Sequence, residues 1–277
     1  MASLFQSLEA EDLTAIERPI FYAFRDILTA TGSTEDRAVE LANKIVSICE
    51  SNDKTDASLD AEVEQPSVEH VWRIMFDMVY YIPPDHEWQD VWTLALRDLA
   101  QRDGRADKNS NADTFLWRNL PSLTLDMLER LEQPPGTLGG DPASSYAKWK
   151  SLNSFAARIA AAQIQEWEGF AFWSLREALE KQPTPEKIEC LVWVASEWII
   201  RCGRLLLEAL KDPSDDDHRS IAVGPLCSDL SPVGMERWQF WKKRFTDIAS
   251  PDNNLGINSA TSEHISLALD SMAAAEN

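Results

Sequence analysis

Two long apolar segments, Ser151 to Lys181 and Thr184 to Lys211, carry four of the chain's eleven tryptophans. Their apolar residues recur at three- and four-residue steps, the spacing of one helix face. No stretch of the chain sustains the period-two alternation, bounded by turn residues, that a half-buried strand needs. Segments this apolar around most of their circumference require helical neighbours on several sides. The expectation is an all-α protein: a single helical domain of about nine or ten helices around two long central helices, about 145–181 and 184–211.

The rest of the chain reads as helices joined by loops. Pro19 suits the first position of a helix running to about Thr31, and Gly32 ends it. Ser33 and Asp36 form a capping-box variant for the next helix, and Pro66-Ser67 opens another. Pro83-Pro84 stops that one, with Asp85 as the following cap. Ser51 to Gln65 is acidic, polar and loop-like. Pro134-Pro135-Gly136 and Gly139-Gly140 mark the best boundary, so the domain divides weakly into 1–132 and 145–277 about a linker at 133–144. A last helix is expected over about Ser259 to Ala275.

Charge and cysteine usage exclude several functions. The 277-residue chain has a formal charge of −20, against the basic face that nucleic acid requires, and an anionic membrane surface is disfavoured for the same reason. No apolar run reaches transmembrane length, and the first residues lack a signal-type stretch. Cys49, Cys190, Cys202 and Cys227 form no metal-type pair. The expectation is a cytoplasmic protein with reduced thiols, no nucleic-acid partner and no membrane insertion.

On the second central helix, Glu197, Arg201, Arg204 and Glu208 make a charged row at spacings of four, three and four. It reads either as a solvated stripe or as the polar wall of a pocket. On the first, Ala156, Ala157, Ala160, Ala161 and Ala162 stand among large aromatics, and Gly169 falls inside the helical pattern. Asn153, Arg158, Gln163 and Arg176 are polar residues that such packing traps, and buried polar groups need partners. The candidate catalytic residues are therefore Asn153, Arg158, Glu197 and Arg201, which would polarise a carbonyl or carboxylate. Trp167, Trp173, Arg176, Trp193 and Trp198 are the candidate substrate-binding residues, lining a pocket between helices.

Several stretches stand together in a recognisable order. They are Leu116-Trp117-Arg118-Asn119-Leu120-Pro121, Leu152 to Ile159, Phe170-Ala171-Phe172-Trp173-Ser174-Leu175-Arg176-Glu177-Ala178-Leu179-Glu180, Ala195 to Ile199, Gly224-Pro225-Leu226, and Trp238 to Phe245. From about Leu116 to the C-terminus the chain resembles a filamentous-fungal family catalogued only as a domain of unknown function. That resemblance implies a helical, intracellular fungal protein. Relatives of this kind often accompany secondary-metabolism genes, which implies small-molecule chemistry, and the resemblance supplies no catalytic residue.

Familiar catalytic motifs are missing: no P-loop, GxGxxG, HExxH or GxSxG occurs, and His70, His86, His218 and His264 are too scattered to suggest a metal site. Class I terpene cyclases are helical, but here the only aspartate cluster is Asp215-Asp216-Asp217 in a loop. Asn119, Ser122 and Asp126 match the second magnesium motif only loosely, with Pro121 inside it. Two readings follow. One is a cofactor-independent cyclase or pericyclase-type enzyme, without metal, acting on an apolar terpenoid or polyketide intermediate by orientation and hydrogen bonding. The other is a non-enzymatic interaction or regulatory module, with a homodimer as its simplest form.

Overall fold

A computed structural model describes residues 5–9, 13–50, 66–102, 117–131, 141–211, 222–250, 252–253 and 255–277. Among these the chain is all-helical, with ten helices of eight residues or more and no strand. The expected Asp215-Asp216-Asp217 loop and most of the 133–144 linker lie outside the described residues. No described helix is long and apolar enough to cross a membrane. The backbone clusters into two compact units, Met1–Phe155 and Ala156–Asn277.

The first unit contains the single-turn α1 (Gln6–Glu9), then α2 (Glu17–Thr29), α3 (Thr34–Glu50), α4 (Val68–Tyr81), α5 (Glu87–Gln101), α6 (Leu123–Leu131) and most of α7 (Pro142–Ala161). Local chemistry sets these ends. Thr14 and Glu17 bond reciprocally ahead of α2, the Thr14 N–H to Glu17 Oε2 (2.9 Å) and the Glu17 N–H to Thr14 Oγ1 (3.2 Å). Pro19 is therefore the third residue of α2 rather than its first. Ser33 accepts the Asp36 N–H (3.0 Å) and donates to its carboxylate (2.9 Å), as the sequence suggests. His86, not Asp85, caps α5, its Nδ1 accepting the Trp88 N–H at 3.2 Å.

Aromatic packing fills this unit. Phe24 meets Trp92 edge-on at 5.1 Å and Phe5 stacks on Trp88 at 5.4 Å. Trp72 is fully buried and donates its indole N–H to Pro121 O (2.7 Å), which ties α4 to the turn before α6.

The second unit holds the end of α7, then α8 (Glu168–Leu175), α9 (Pro185–Lys211), α10 (Met235–Ala249) and α11 (Ser259–Ala275). The first long segment is thus not one helix, because α7 stops at Ala161. The Gln163 N–H bonds Ala160 O (2.9 Å) and the Ile164 N–H bonds Ile159 O (3.1 Å), with Gln163 at φ 53°. This is a Schellman ending, closed by Ile159 and Ile164 at the positions where it takes an apolar contact. Its left-handed residue is glutamine instead of glycine, so the usual stop signal is absent, and Gln163 is exposed in this turn rather than trapped by packing. Gly169 consequently lies in the first turn of α8 and not in a helix interior.

After Leu175 the helix widens into a π-turn, Arg176–Glu180. The Glu180 carboxylate is fully buried and takes four donors. Oε1 accepts from Arg237 Nε (2.7 Å) and Trp241 Nε1 (2.6 Å); Oε2 accepts from the Gly224 N–H (2.6 Å) and Arg237 Nη2 (3.2 Å). Gly224 approaches so closely that a Cβ there would stand 2.6 Å from Glu180 O. Arg237 also covers the Trp241 ring at 5.2 Å. This node pins α10 and its preceding loop to the end of α8.

Candidate functional site

α9 and α11 pack side by side, with Gly203 against Ser271, whose hydroxyl donates to Ile199 O at 3.0 Å. One face of α9 carries Trp193, Glu197 and Arg201 at four-residue steps, and α11 sets His264 beside them. The Glu197 side chain is only 3% exposed. Its Oε1 accepts from Arg201 Nε and lies 3.8 Å from Arg158 Nη1 at the end of α7. Its Oε2 lies 3.0 Å from His264 Nε2. Trp193 stacks flat on the His264 ring, with centroids 4.5 Å apart and planes 2° from parallel.

The charged row of the sequence therefore divides. Glu197 is buried and Arg201 half-buried, whereas Arg204 and Glu208 are exposed and pair with each other at 3.1 Å. Four candidate residues, Arg158, Glu197, Arg201 and Trp193, come together. Asn153 is fully buried and its amide donates to Trp149 O (3.0 Å), one turn back along α7. Trp198 is core, and Trp167 is the buried N-cap of α8, tilted against Phe170 (5.7 Å), which in turn meets the half-buried Trp173 (5.7 Å). Arg176 reaches the Ala222 carbonyl at 3.5 Å.

His264 is the member of the centre that sequence reasoning missed. It is 67 residues from Glu197, and no spacing rule connects positions on helices that meet only through packing. The nearby Cys202 donates its thiol to Ala157 O (3.3 Å); burial pushes that thiol up to about 12, so it stays neutral and is no nucleophile at physiological pH. Both Glu197 oxygens are occupied by cationic or N–H partners, so the carboxylate orients its neighbours. With an acceptor-only carboxylate at Nε2, the neutral form of the imidazole is the tautomer with its proton there and its lone pair on Nδ1.

The loosely matched Asn119, Ser122 and Asp126 occupy a 3-10 turn, a left-handed position (φ 64°) and the first turn of α6. Burial raises the Asp126 carboxyl to about 6.

A family model described as "Protein of unknown function (DUF3632)" matches residues 72–245. No curated protein and no solved structure matches the chain.

Proposed function

The chain belongs to the DUF3632 family of proteins of unknown function, and on that footing we propose a small-molecule-binding helical protein of fungal secondary metabolism. Its activity is that of a cofactor-independent cyclase, isomerase or lyase in type, acting on an apolar terpenoid or polyketide intermediate in the cytoplasm. The Glu197 centre is its reactive site.

One observation carries this reading. A single buried carboxylate gathers Arg158, Arg201 and His264 at a place where Arg201 and His264 stay partly exposed. Buried ion clusters stabilise a fold weakly, because desolvation offsets most of the Coulomb attraction. A buried carboxylate whose partners Arg201 and His264 keep part of their surface open therefore points to chemistry more than to stability. The Glu180–Arg237 pair provides the contrast: both side chains are fully buried and the carboxylate is saturated by protein donors, as a structural node should be. The interaction-module reading draws less support. The exposed large apolar residues Tyr22, Val39, Leu125, Leu226, Met235 and Leu267 each stand on a different element, so among the described residues no helix turns an apolar stripe of them outward.

Native mass spectrometry of the chain with a total metabolite extract of its source cells tests the proposal. The expected result is one adduct of a few hundred daltons, lost in folded Arg158→Ala and Glu197→Gln variants. A well-folded chain that takes up nothing from several extracts, but captures a protein partner, would reject it.

A further inference from the structure

The Glu197 centre has an outward side. Arg201 spends Nε on Glu197 and makes no further hydrogen bond or ion pair with the described residues, so both of its terminal NH₂ groups remain as donors. His264 spends Nε2 on the same carboxylate and one ring face on Trp193. A base nitrogen and a cationic donor are thus held by two oxygens of one carboxylate. Their bonded nitrogens stand no more than about 8 Å apart, two hydrogen bonds across one carboxylate.

The sign of the charge separates the two substrate classes of the proposed function. Carbocation chemistry needs anions or aromatic faces around the developing positive charge. Here Arg158 and Arg201 flank the centre, the candidate aromatic walls Trp167 and Trp198 are buried in packing, Trp173 packs on Phe170, and Trp193 spends a face on the His264 ring. Two guanidinium groups oppose a cation and favour an oxyanion. An imidazole beside them removes a proton to create one.

Resting on the reading of this centre as a ligand site, we propose that it enolises a carbonyl compound, and that the substrate is a polyketide-type chain with two or more carbonyl groups rather than a terpenoid. His264 Nδ1 takes the proton from the carbon beside one carbonyl. The C–H pair becomes the enolate double bond, and the carbonyl π pair moves to oxygen, where an Arg201 N–H meets it. The enolate double-bond pair then attacks a second carbonyl of the same molecule, and the oxyanion pair re-forms the first carbonyl. A C–C bond forms, that carbonyl's π pair becomes an alkoxide, and the alkoxide takes back the proton from Nδ1–H. The ring closure needs no oxidant, reductant or metal-borne group, and the product is an isomer of the substrate. Glu197 is the positioning residue: it fixes the imidazole tautomer and faces the imidazolium formed midway, whose other neighbour is the Trp193 ring.

The test runs the full chain in ²H₂O buffer with the total metabolite extract, and follows the compound that native mass spectrometry finds as an adduct. The expected compound bears at least two carbonyls, is recovered as a cyclic isomer, and carries carbon-bound deuterium, because Nδ1–H exchanges with ²H₂O and an enolate that returns to the ketone without closing takes deuterium on carbon. His264→Gln, whose amide can still donate to Glu197, should slow deuterium entry about 100-fold or more, and Arg201→Gln about 100-fold. Added imidazole should restore exchange to His264→Gly, which a purely structural histidine would not allow. An adduct without carbonyls, an adduct that neither gains carbon-bound deuterium nor cyclises, or a folded His264→Gln variant at full rate overturns the enolisation and leaves the ligand site standing. No adduct at all removes both.

Discussion

Glu197 and Asp126 are both carboxylates set against helices, yet their surroundings give them opposite consequences. Glu197 is compensated by Arg158, Arg201 and His264. Replacing it with glutamine withdraws the counter-charge from these groups, and should cost about 2–3 kcal/mol in denaturant unfolding, below the full loss expected for breaking a buried pair because the amide can still accept. Arg204→Ala, one turn further along α9, breaks only an exposed pair and should change stability by less than about 0.5 kcal/mol. Equal effects would mean that burial does not separate the two ends of this row.

Asp126 behaves differently because burial, the largest influence on it, outweighs the attraction of Arg130, and one carboxylate oxygen has no hydrogen-bond partner among the described residues. A carboxyl whose folded value lies above its unfolded value binds more protons when folded. Stability therefore falls as pH rises from about 4 to about 6 and stays lowered above. Asp126→Asn should remove that penalty, stabilising the protein at pH 7.5 by on the order of 1 kcal/mol after allowance for screening of a half-exposed group, and by almost nothing at pH 4. Urea unfolding at the two pH values measures it; an equal gain at both would assign the effect to packing.

The elements were legible where their end signals are chemical. Ser33 with Asp36 and the helix from Ser259 to Ala275 emerge as the sequence suggests. The break between α7 and α8 did not, because Gln163 occupies the left-handed position that glycine ordinarily signals. Gln163→Gly should accordingly stabilise the turn by up to about 1 kcal/mol, since glycine adopts φ near 53° without strain. At Gly224 the reverse holds: a Cβ would stand 2.6 Å from Glu180 O and 2.7 Å from its Cβ, so Gly224→Ala should cost more than about 2 kcal/mol in thermal unfolding. An alanine variant as stable as the parent would show that the loop can move away from Glu180 at little cost. Several stretches behind the family resemblance, Phe170 to Glu180, Gly224 and Trp238 to Phe245, converge on this node, with Arg237 beside the last of them, so part of that likeness is a packing signature.

Across the whole molecule, a formal charge of −20 makes the folded chain repel itself. Raising ionic strength from about 10 to 150 mM shortens the screening length from about 30 to 8 Å. The melting temperature should rise by about 2–4 °C over that range, the response to roughly 1 kcal/mol in a chain of this size. A fall instead would mean that attractive ion pairs outweigh the repulsion.

Helical class and most helix positions follow from periodicity and capping chemistry, which are local along the chain, and net charge is additive along it. Arg158, Glu197, Arg201 and Trp193 could be nominated from the same information, because trapped polar residues on apolar helices stand out by type and spacing. Which of them meet was a tertiary matter. His264 reaches Glu197 only because α11 lies along α9, and Glu180 finds Arg237, Trp241 and Gly224 only through the π-turn that aims it inward. The sum of charge can be read from a list of residues; the pairing of charges depends on distance, and distance between helices is set by how their side chains pack.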